Sequence, residues 1–266
     1  MMLTITYDYL REEEVDLIKA FSELGVSVNR LQSNTPLHIG EVDGVFLIRN
    51  LNHKTAITMA GIIESTGGAT VNSYLTLSIT WNKAVTTALL KKAGLPVPDT
   101  YVVFEPMADG LLKGGRIVKP ASGSWGRLTA VVNDGELSLL MRHARDHLPI
   151  LVQERIGDGS DLRVFIINGS VVAAMMRRPP QGDWRSNVAR GGYAMPVKVS
   201  DELSEYAIKA AEAVKAFYAG VDLLIGKDGY YISEVNGIPE FKAVSRVSGV
   251  RVGFELAKAI INLLKR

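Results

Sequence analysis

Gly220-Val-Asp-Leu-Leu-Ile-Gly226-Lys-Asp-Gly229-Tyr-Tyr-Ile-Ser-Glu-Val-Asn236-Gly-Ile-Pro-Glu-Phe241 is the stretch whose reading decides the fold. Two apolar runs flank Lys227-Asp228-Gly229. A three-residue loop ending in glycine suits a type I turn with a G1 bulge, so the stretch reads as a β-hairpin. Such a loop pairs Gly226 with Tyr230, and counting back sets Asp222 opposite Glu234. Asn236 follows two residues on, on the same face. Two carboxylates directly opposite one another repel and destabilise a sheet. A cation between them removes that cost, and oxygen donors from Asp, Glu and Asn suit Mg²⁺ or Mn²⁺. The competing reading is a solvated hairpin face with ordinary surface acids.

The 266 residues suffice for two or three lobes, and 47% hydrophobic with 22% charged residues is a globular composition. There is no Cys, which excludes disulfides, thiol catalysis and Cys-ligated zinc. No apolar run approaches the ~20 residues of a membrane span. The start, Met1-Met2-Leu3-Thr4-Ile5-Thr6, lacks a basic leader, so a cytoplasmic location is expected. A net charge of +2 argues neither for nor against nucleic acid.

From the beginning, the pattern gives strands at 3–7, 26–31, 42–48 and 69–72, with helices at 12–24 and 54–65. This β-α-β-β-α-β rhythm implies an open parallel sheet, which binds ligands beyond the carboxyl ends of its strands. No Gly-x-Gly-x-x-Gly follows the first strand, so a dinucleotide is not expected there. A long helix over 76–93 stops at Gly94, and a lobe boundary falls near 73–81. Next come strands at 116–119, 129–132 and 150–155, with a helix over 136–147. Asn168-Gly169 joins strands 162–167 and 171–176 as a tight hairpin. Asp201 reads as the N-cap of a helix reaching Phe217, and residues 253–264 form the last helix. The four histidines (His38, His53, His143, His147) read as surface residues.

Three further stretches carry chemistry. Lys119-Pro-Ala-Ser122-Gly123-Ser124-Trp125-Gly126-Arg127 places small residues between two positive charges, where backbone N–H groups could cradle a phosphate. It is not a Walker loop, and a plain hairpin tip is the alternative. The strand end Gln153-Glu154-Arg155-Ile156 offers backbone groups to a flat base, with Asp161 in reach of a ribose hydroxyl; an ordinary hairpin with its loop is the alternative. Arg177, Arg178, Arg185 and Arg190 gather four guanidinium groups around Asn187, an anion site or an acidic-partner patch unless they are merely a solvated basic loop.

The order of these pieces, Lys83, Lys119, Gln153-Glu154, Asp161-x-Arg163, Asp222 and Glu234-x-Asn236, resembles the ATP-grasp fold along the whole chain. The resemblance is to the amino-group-carrier ligases of lysine and arginine biosynthesis (the LysX/ArgX group), relatives of the RimK-type glutamate ligases. Residues 123–128, 187–192 and 234–242 carry that likeness. It implies an α/β chain with an N-terminal open parallel-sheet domain at 1–80, a central ATP-grasp lobe at 81–152 and a C-terminal lobe at 153–266, the two lobes clamping ATP.

The resemblance also implies an ATP-dependent carboxylate–amine ligase working through an acyl phosphate. The carboxylate is the side chain of the C-terminal glutamate of a small acidic amino-group carrier protein, and the amine is the α-amino group of α-aminoadipate or glutamate. Lys83, Lys119, Gly123, Ser124, Trp125, Gly126 and Arg127 would hold the triphosphate. Gln153, Glu154 and Ile156 would line the adenine, with Asp161 and Arg163 beside the nucleotide and Asn187, Val188 and Ala189 closing over it. Asp222, Glu234 and Asn236 would bind two Mg²⁺, with Mn²⁺ as a substitute. Arg178, Arg190 and Lys119 would stabilise the acyl phosphate, and Arg178, Glu240, Phe241, Lys242, Ala243 and Val244 would form the substrate site. No nucleic acid or membrane partner is implied, and a homodimer or homotetramer is.

Two departures stand out. Position 82 is Asn where many ATP-grasp enzymes have Asp. Ala243-Val244 occupy the place where the group's substrate-choice motif, Asn-Thr/Ala or Gly-Phe, should lie, which suggests use of both amino acids. A RimK-like ligase acting on another protein or a coenzyme tail is the alternative enzyme. A regulatory protein that binds nucleotide without turnover is the alternative outside catalysis.

Overall fold

A computed structural model describes residues 2–40, 42–105, 115–123, 129–133, 136–143, 145–180 and 192–265. The chain opens with β1 (Leu3–Tyr7), α1 (Glu12–Glu23), β2 (Asn29–Gln32), β3 (Val45–Ile48), α2 (His53–Ser65) and β4 (Ala69–Val71). These strands form the expected parallel sheet, in the order β2-β1-β3-β4.

The expected long helix is two. α3 (Tyr74–Trp81) ends at Asn82, whose backbone is extended, and α4 (Lys83–Lys92) begins immediately after it. The Asn82 side chain accepts from the N–H groups of Ala84 and Val85, satisfying donors that a helix start leaves orphaned. Asn and Asp serve this task about equally well, so Asn in place of Asp keeps the cap.

The middle of the chain builds an antiparallel sheet ordered β5-β8-β6-β7, from β5 (Thr100–Val103), β6 (Arg116–Pro120), β7 (Ala130–Val132) and β8 (Ile150–Glu154). α5 (Leu137–His143) and a 3-10 turn (Arg145–His147) replace the single expected helix. A third sheet, antiparallel and ordered β11-β10-β9-β12-β13, comprises β9 (Asp161–Ile167), β10 (Ser170–Arg178), β11 (Tyr193–Pro196), β12 (Tyr218–Gly226) and β13 (Gly229–Asn236). α6 (Asp201–Ala213) covers one face of it. Its N-cap is Ser200, whose hydroxyl accepts from Leu203 N–H, and not Asp201, which lies in the first turn. Two helices, α7 (Lys242–Ser248) and α8 (Val252–Leu264), end the chain, α7 against β10 and β11.

The core explains how these units are held. Leu3, Ile5, Leu17 and Phe21 pack in one cluster with Phe165, Ile167, Tyr218, Val244, Leu256 and Ile260. The first sheet therefore shares its interior with the last, and α8 returns to lie on α1. A Cβ on Gly253 would fall 2.1 Å from an Asp16 carboxylate oxygen, so only glycine permits that approach. A separate cluster of α6 against the other face of β9 and β12 includes Val164, Ala207, Ala210 and Val221. The middle sheet has its own small core around Val118, Met141 and Val152. Among the described residues no helix is long and apolar enough to cross a membrane.

Candidate active site

The hairpin places Asp222 opposite Glu234, as its residues suggest, but by another route. The loop has two residues, Lys227 and Asp228, with Gly226 paired to Gly229. The extra residue sits further along: the register shifts between Asp222 and Leu223, leaving Ser233 unpaired. A bulge there, rather than in the turn, brings the carboxylates into line.

Alternation along the strands then decides what shares their face. Arg163 on β9 lies opposite Asp222. Asp161 is two residues back and so on the same side, and Arg177 on β10 lies opposite Asp161. Arg163 holds Asp222 bidentately, Nε to Oδ1 at 2.7 Å and Nη2 to Oδ2 at 2.7 Å. Arg177 Nη2 lies 2.9 Å from Asp222 Oδ2. Burial raises the cost of the Asp222 charge, yet the two guanidinium groups outweigh it and hold its pKa down at about 2.

Lysines close the other side. Lys83, the first residue of α4, sits where the α3–α4 break puts it. Its N–H donates to Ala121 O at 2.7 Å, its ammonium donates to Gly123 O, and its Nζ lies 3.3 Å from Glu234 Oε1. Lys119, at the end of β6, directs Nζ toward Ser233 O at 3.5 Å. Burial drives the Lys119 pKa down to about 8, with Lys83 adding to the effect and Glu234 opposing it. Burial also opposes ionisation of Glu234, but Lys83 holds its carboxyl below the usual range.

The donors fit a hard divalent cation. Glu234 is half-buried with one lysine contact, Asp222 faces it directly, and Asn236 lies on the same strand face with Oδ1 accepting from Ile238 N–H at 2.9 Å. Among the described residues no three His, Cys, Asp or Glu side chains gather. Two carboxylates and an amide on one hairpin therefore suit Mg²⁺ and not a zinc-type site.

Other expected residues fall elsewhere. Asp161 is buried, and both its oxygens accept from Arg177 at 2.7 and 2.5 Å, so it is committed to an ion pair and not left free for a ribose. Gln153 is buried with its amide donating to Thr100 Oγ1 at 2.8 Å, and Ile156 is buried beside Gly226 of β12. Glu154 is exposed at the end of β8. Arg178 is exposed, beside Tyr193 of β11, and the pleat turns it away from Arg177. Ser124, Trp125, Gly126 and Arg127, and likewise Arg185, Asn187, Val188, Ala189 and Arg190, lie outside the described residues.

The expected substrate residues meet a core. Phe241 is buried edge-on to Phe165 at 6.1 Å, under the Arg49 guanidinium, and Val244 is wholly buried with Leu3, Ile5 and Leu256. Phe241 and Val244 therefore expose no surface for a substrate, and Ala243 is partly buried against the same cluster. Lys242 pairs with Glu12 at 2.7 Å and Glu240 with Arg11 at 3.1 Å, both bridging to the first sheet's helix.

Reading residue by residue missed two neighbours of this site. Arg177 appeared only as part of a basic stretch, but it is buried and so cannot serve as a landing residue. His53 is half-buried and stacks on Trp81 at 4.5 Å, against the surface position expected of it. Burial, then the charge of Lys83, lowers its pKa. No local pattern marks His53. Its only signal is that it begins α2 at the carboxyl end of a parallel strand, where ligands bind.

Comparison with known proteins shows the family. Residues 80–260 match the model of the RimK-like ATP-grasp domain. The alpha-aminoadipate--LysW ligase LysX of Saccharolobus solfataricus is 30% identical over 94% of this chain and 97% of its own length. The glutamate--LysW ligase ArgX of Sulfolobus acidocaldarius is 29% identical over 98% of this chain and 99% of its own. Among solved structures, D-cycloserine synthetase DcsG superposes with a TM-score of 0.80 at 15% identity, covering 99% of this chain and 100% of the other. A RimK domain ATP-grasp protein from Sphaerobacter thermophilus gives 0.75 at 22%, covering 97% and 99%. At such identities the structural likeness speaks for the fold.

Proposed function

The chain belongs to the RimK-like ATP-grasp family of ligases, and from that premise we propose that it joins an amino acid to a small acidic carrier protein. The carboxylate is the side chain of the carrier's C-terminal glutamate. ATP converts it to an acyl phosphate, and the α-amino group of α-aminoadipate or glutamate displaces phosphate to give the amide. The observation that carries this reading is the facing pair Asp222 and Glu234 between Lys83 and Lys119. Full-length similarity to both a LysX and an ArgX supports the choice of carrier and amino acids.

Each group has a task in that reaction. Lys83 and Lys119 would hold the polyphosphate, together with Gly123 to Arg127. Asp222, Glu234 and Asn236 would hold Mg²⁺, which neutralises phosphate charge when bound. Arg190 is assigned to the acyl phosphate, and Arg178, turned to the opposite side of its strand from Arg177, to the acidic carrier. No side chain forms a covalent intermediate, consistent with a chain that has no Cys. The two amino acids differ by one methylene, which alone supports only ~1–3 kcal/mol of discrimination. Ala243, where the Asn of the substrate-choice motif would stand, offers no side-chain hydrogen bond, so we assign the enzyme both amino acids, with no preference between them assigned.

The test is a ligation assay with purified carrier, ATP and a panel of amino acids, read as ADP release and as the intact mass of the carrier. A mass gain of one α-aminoadipyl or glutamyl residue is expected. ADP release without a mass gain on the carrier, or transfer only to a coenzyme tail, would overturn the carrier assignment.

A further inference from the structure

Arg177 has no task in the reaction as described, yet it stands at its centre. It is 5% exposed, and its fork engages both oxygens of Asp161 at 2.7 and 2.5 Å. The same Nη2 reaches Asp222 Oδ2 at 2.9 Å. Arg163 takes the remaining approach to Asp222 with two bonds of 2.7 Å. Asp222 thus accepts from two guanidinium groups on both oxygens, which fixes its plane. The four charges, Asp161 and Asp222 against Arg163 and Arg177, sum to zero. On the open side Glu234 is matched by Lys83. This face therefore has no surplus negative charge with which to capture a divalent cation by itself.

We propose that Arg177 is a positioning residue that aims the Asp222 carboxylate and keeps the Asp161–Asp222 pair neutral, so that a divalent cation settles against Asp222 and Glu234 only together with a polyphosphate. Asp161 acts chiefly through Arg177, which donates to both its oxygens. The proposal rests on the assignment of Asp222 and Glu234 as cation donors. Physically, removing one member of a buried ion pair leaves the other charge uncompensated. Removing the arginine shifts the local charge by one unit toward negative, and removing the acid shifts it by one unit toward positive. Both changes destabilise the fold, but they act on a cation in opposite directions.

Mn²⁺ binding, followed by electron paramagnetic resonance with and without ADP, reads this directly. Wild-type protein should bind Mn²⁺ appreciably only with ADP present. Arg177→Met should tighten nucleotide-free Mn²⁺ binding by at least about tenfold, and Asp161→Asn should weaken Mn²⁺ binding in the presence of ADP by about tenfold. The double variant, neutral again, should return to within about threefold of wild type without nucleotide. Should Arg177→Met fail to fold, Arg177→Lys keeps the charge but loses the fork. It should leave nucleotide-free binding at the wild-type level and weaken binding with ADP. A merely structural role lowers the melting temperature of every variant and leaves the Mn²⁺ affinities unchanged, which would overturn the proposal, as would shifts of the same sign for Arg177→Met and Asp161→Asn. If wild-type protein binds no Mn²⁺ even with ADP, the cation site itself is wrong and both readings fall together.

Discussion

If Lys119 contacts the polyphosphate as proposed, ATP binding should be sensitive to alkaline pH. Its pKa of about 8 in the free protein results chiefly from burial, with Lys83 assisting and Glu234 opposing. A bound polyphosphate supplies the anion that burial withholds and raises that pKa again. The sign follows. Below pH 8 the ammonium is already formed and ATP meets it at no cost; above pH 8 the protein must take up a proton in order to bind. The apparent Kd should therefore grow by a factor of one plus ten to the power of pH minus eight, about tenfold at pH 9 and about a hundredfold at pH 10. An unshifted lysine, near 10.4, would leave binding at pH 9 almost unchanged. The assay is calorimetry with a non-hydrolysable ATP analogue and Mg²⁺, in buffers of different ionisation enthalpy. At pH 9 roughly 0.9 proton should be taken up per nucleotide bound. Lys119→Arg, charged at every accessible pH, should flatten the profile. A constant Kd from pH 7.5 to 9.5 with no proton uptake would refute the argument.

Other perturbations have equally definite outcomes. Glu234→Gln should keep the fold and lose on the order of a thousandfold in turnover, equivalent to several kcal/mol of barrier, and near-normal steady-state rates would remove Glu234 from the site. Asn82→Ala removes the cap of α4 and should cost about 1 kcal/mol in denaturant melts. It should also raise the KM for ATP, because Lys83 is the next residue; an unchanged KM would show that the break is not needed to place Lys83. Val244→Phe should destabilise the protein by about 1–3 kcal/mol through overpacking, and a stable variant with a changed amino-acid preference would mean that Val244 borders the substrate after all. The ratio of kcat/KM for α-aminoadipate over glutamate should stay below about 200, with a preference above a thousandfold for either one excluding dual use. The KM for carrier should rise with added salt, because exposed Arg178 and the basic stretch after it favour an acidic partner.

The order of elements was legible because apolar period and turn chemistry are local. Leu3, Ile5 and Leu47 mark parallel strands, Leu17 and Phe21 the buried stripe of α1, and Asn168-Gly169 the tight hairpin, where both residues adopt positive φ (47° and 73°). What escaped was short or depended on tertiary contact. β5 and β11 are strands because Ile150–Glu154 and Met175–Arg178 offer edges to pair with, which no local pattern records. The break at Asn82 escaped because Trp81-Asn82-Lys83 does not interrupt the apolar pattern. It is made by Lys83 N–H turning to Ala121 O, just past the end of β6.

The site itself was half legible, and the reason lies in two bulges. Counting from the two-residue loop alone, Asp222 would face Ser233; the bulge at Ser233 moves the partner on by one, to Glu234. Counting from Asn168-Gly169, Asp161 would face Met176, because Ser170 pairs with Ile167. The irregularity between Val171 and Ala173 moves the partner to Arg177. A one-residue slip exchanges every side chain between faces, so each bulge decides whether a charge meets the site or the hydrophobic cluster under α6. An extra residue in the turn at Gly229 and one at Ser233 give the same Asp222–Glu234 pairing, so a count along the strands cannot tell them apart. The extra residue at Val172 has no sequence mark at all, which is why the arginine that braces Asp222 was read as surface charge. The chemistry of this face therefore depends on two unpaired residues, Val172 and Ser233. Deleting either should return its strand to the simple count, bury the wrong side chain and abolish nucleotide binding, whereas conservative replacement of either should be tolerated.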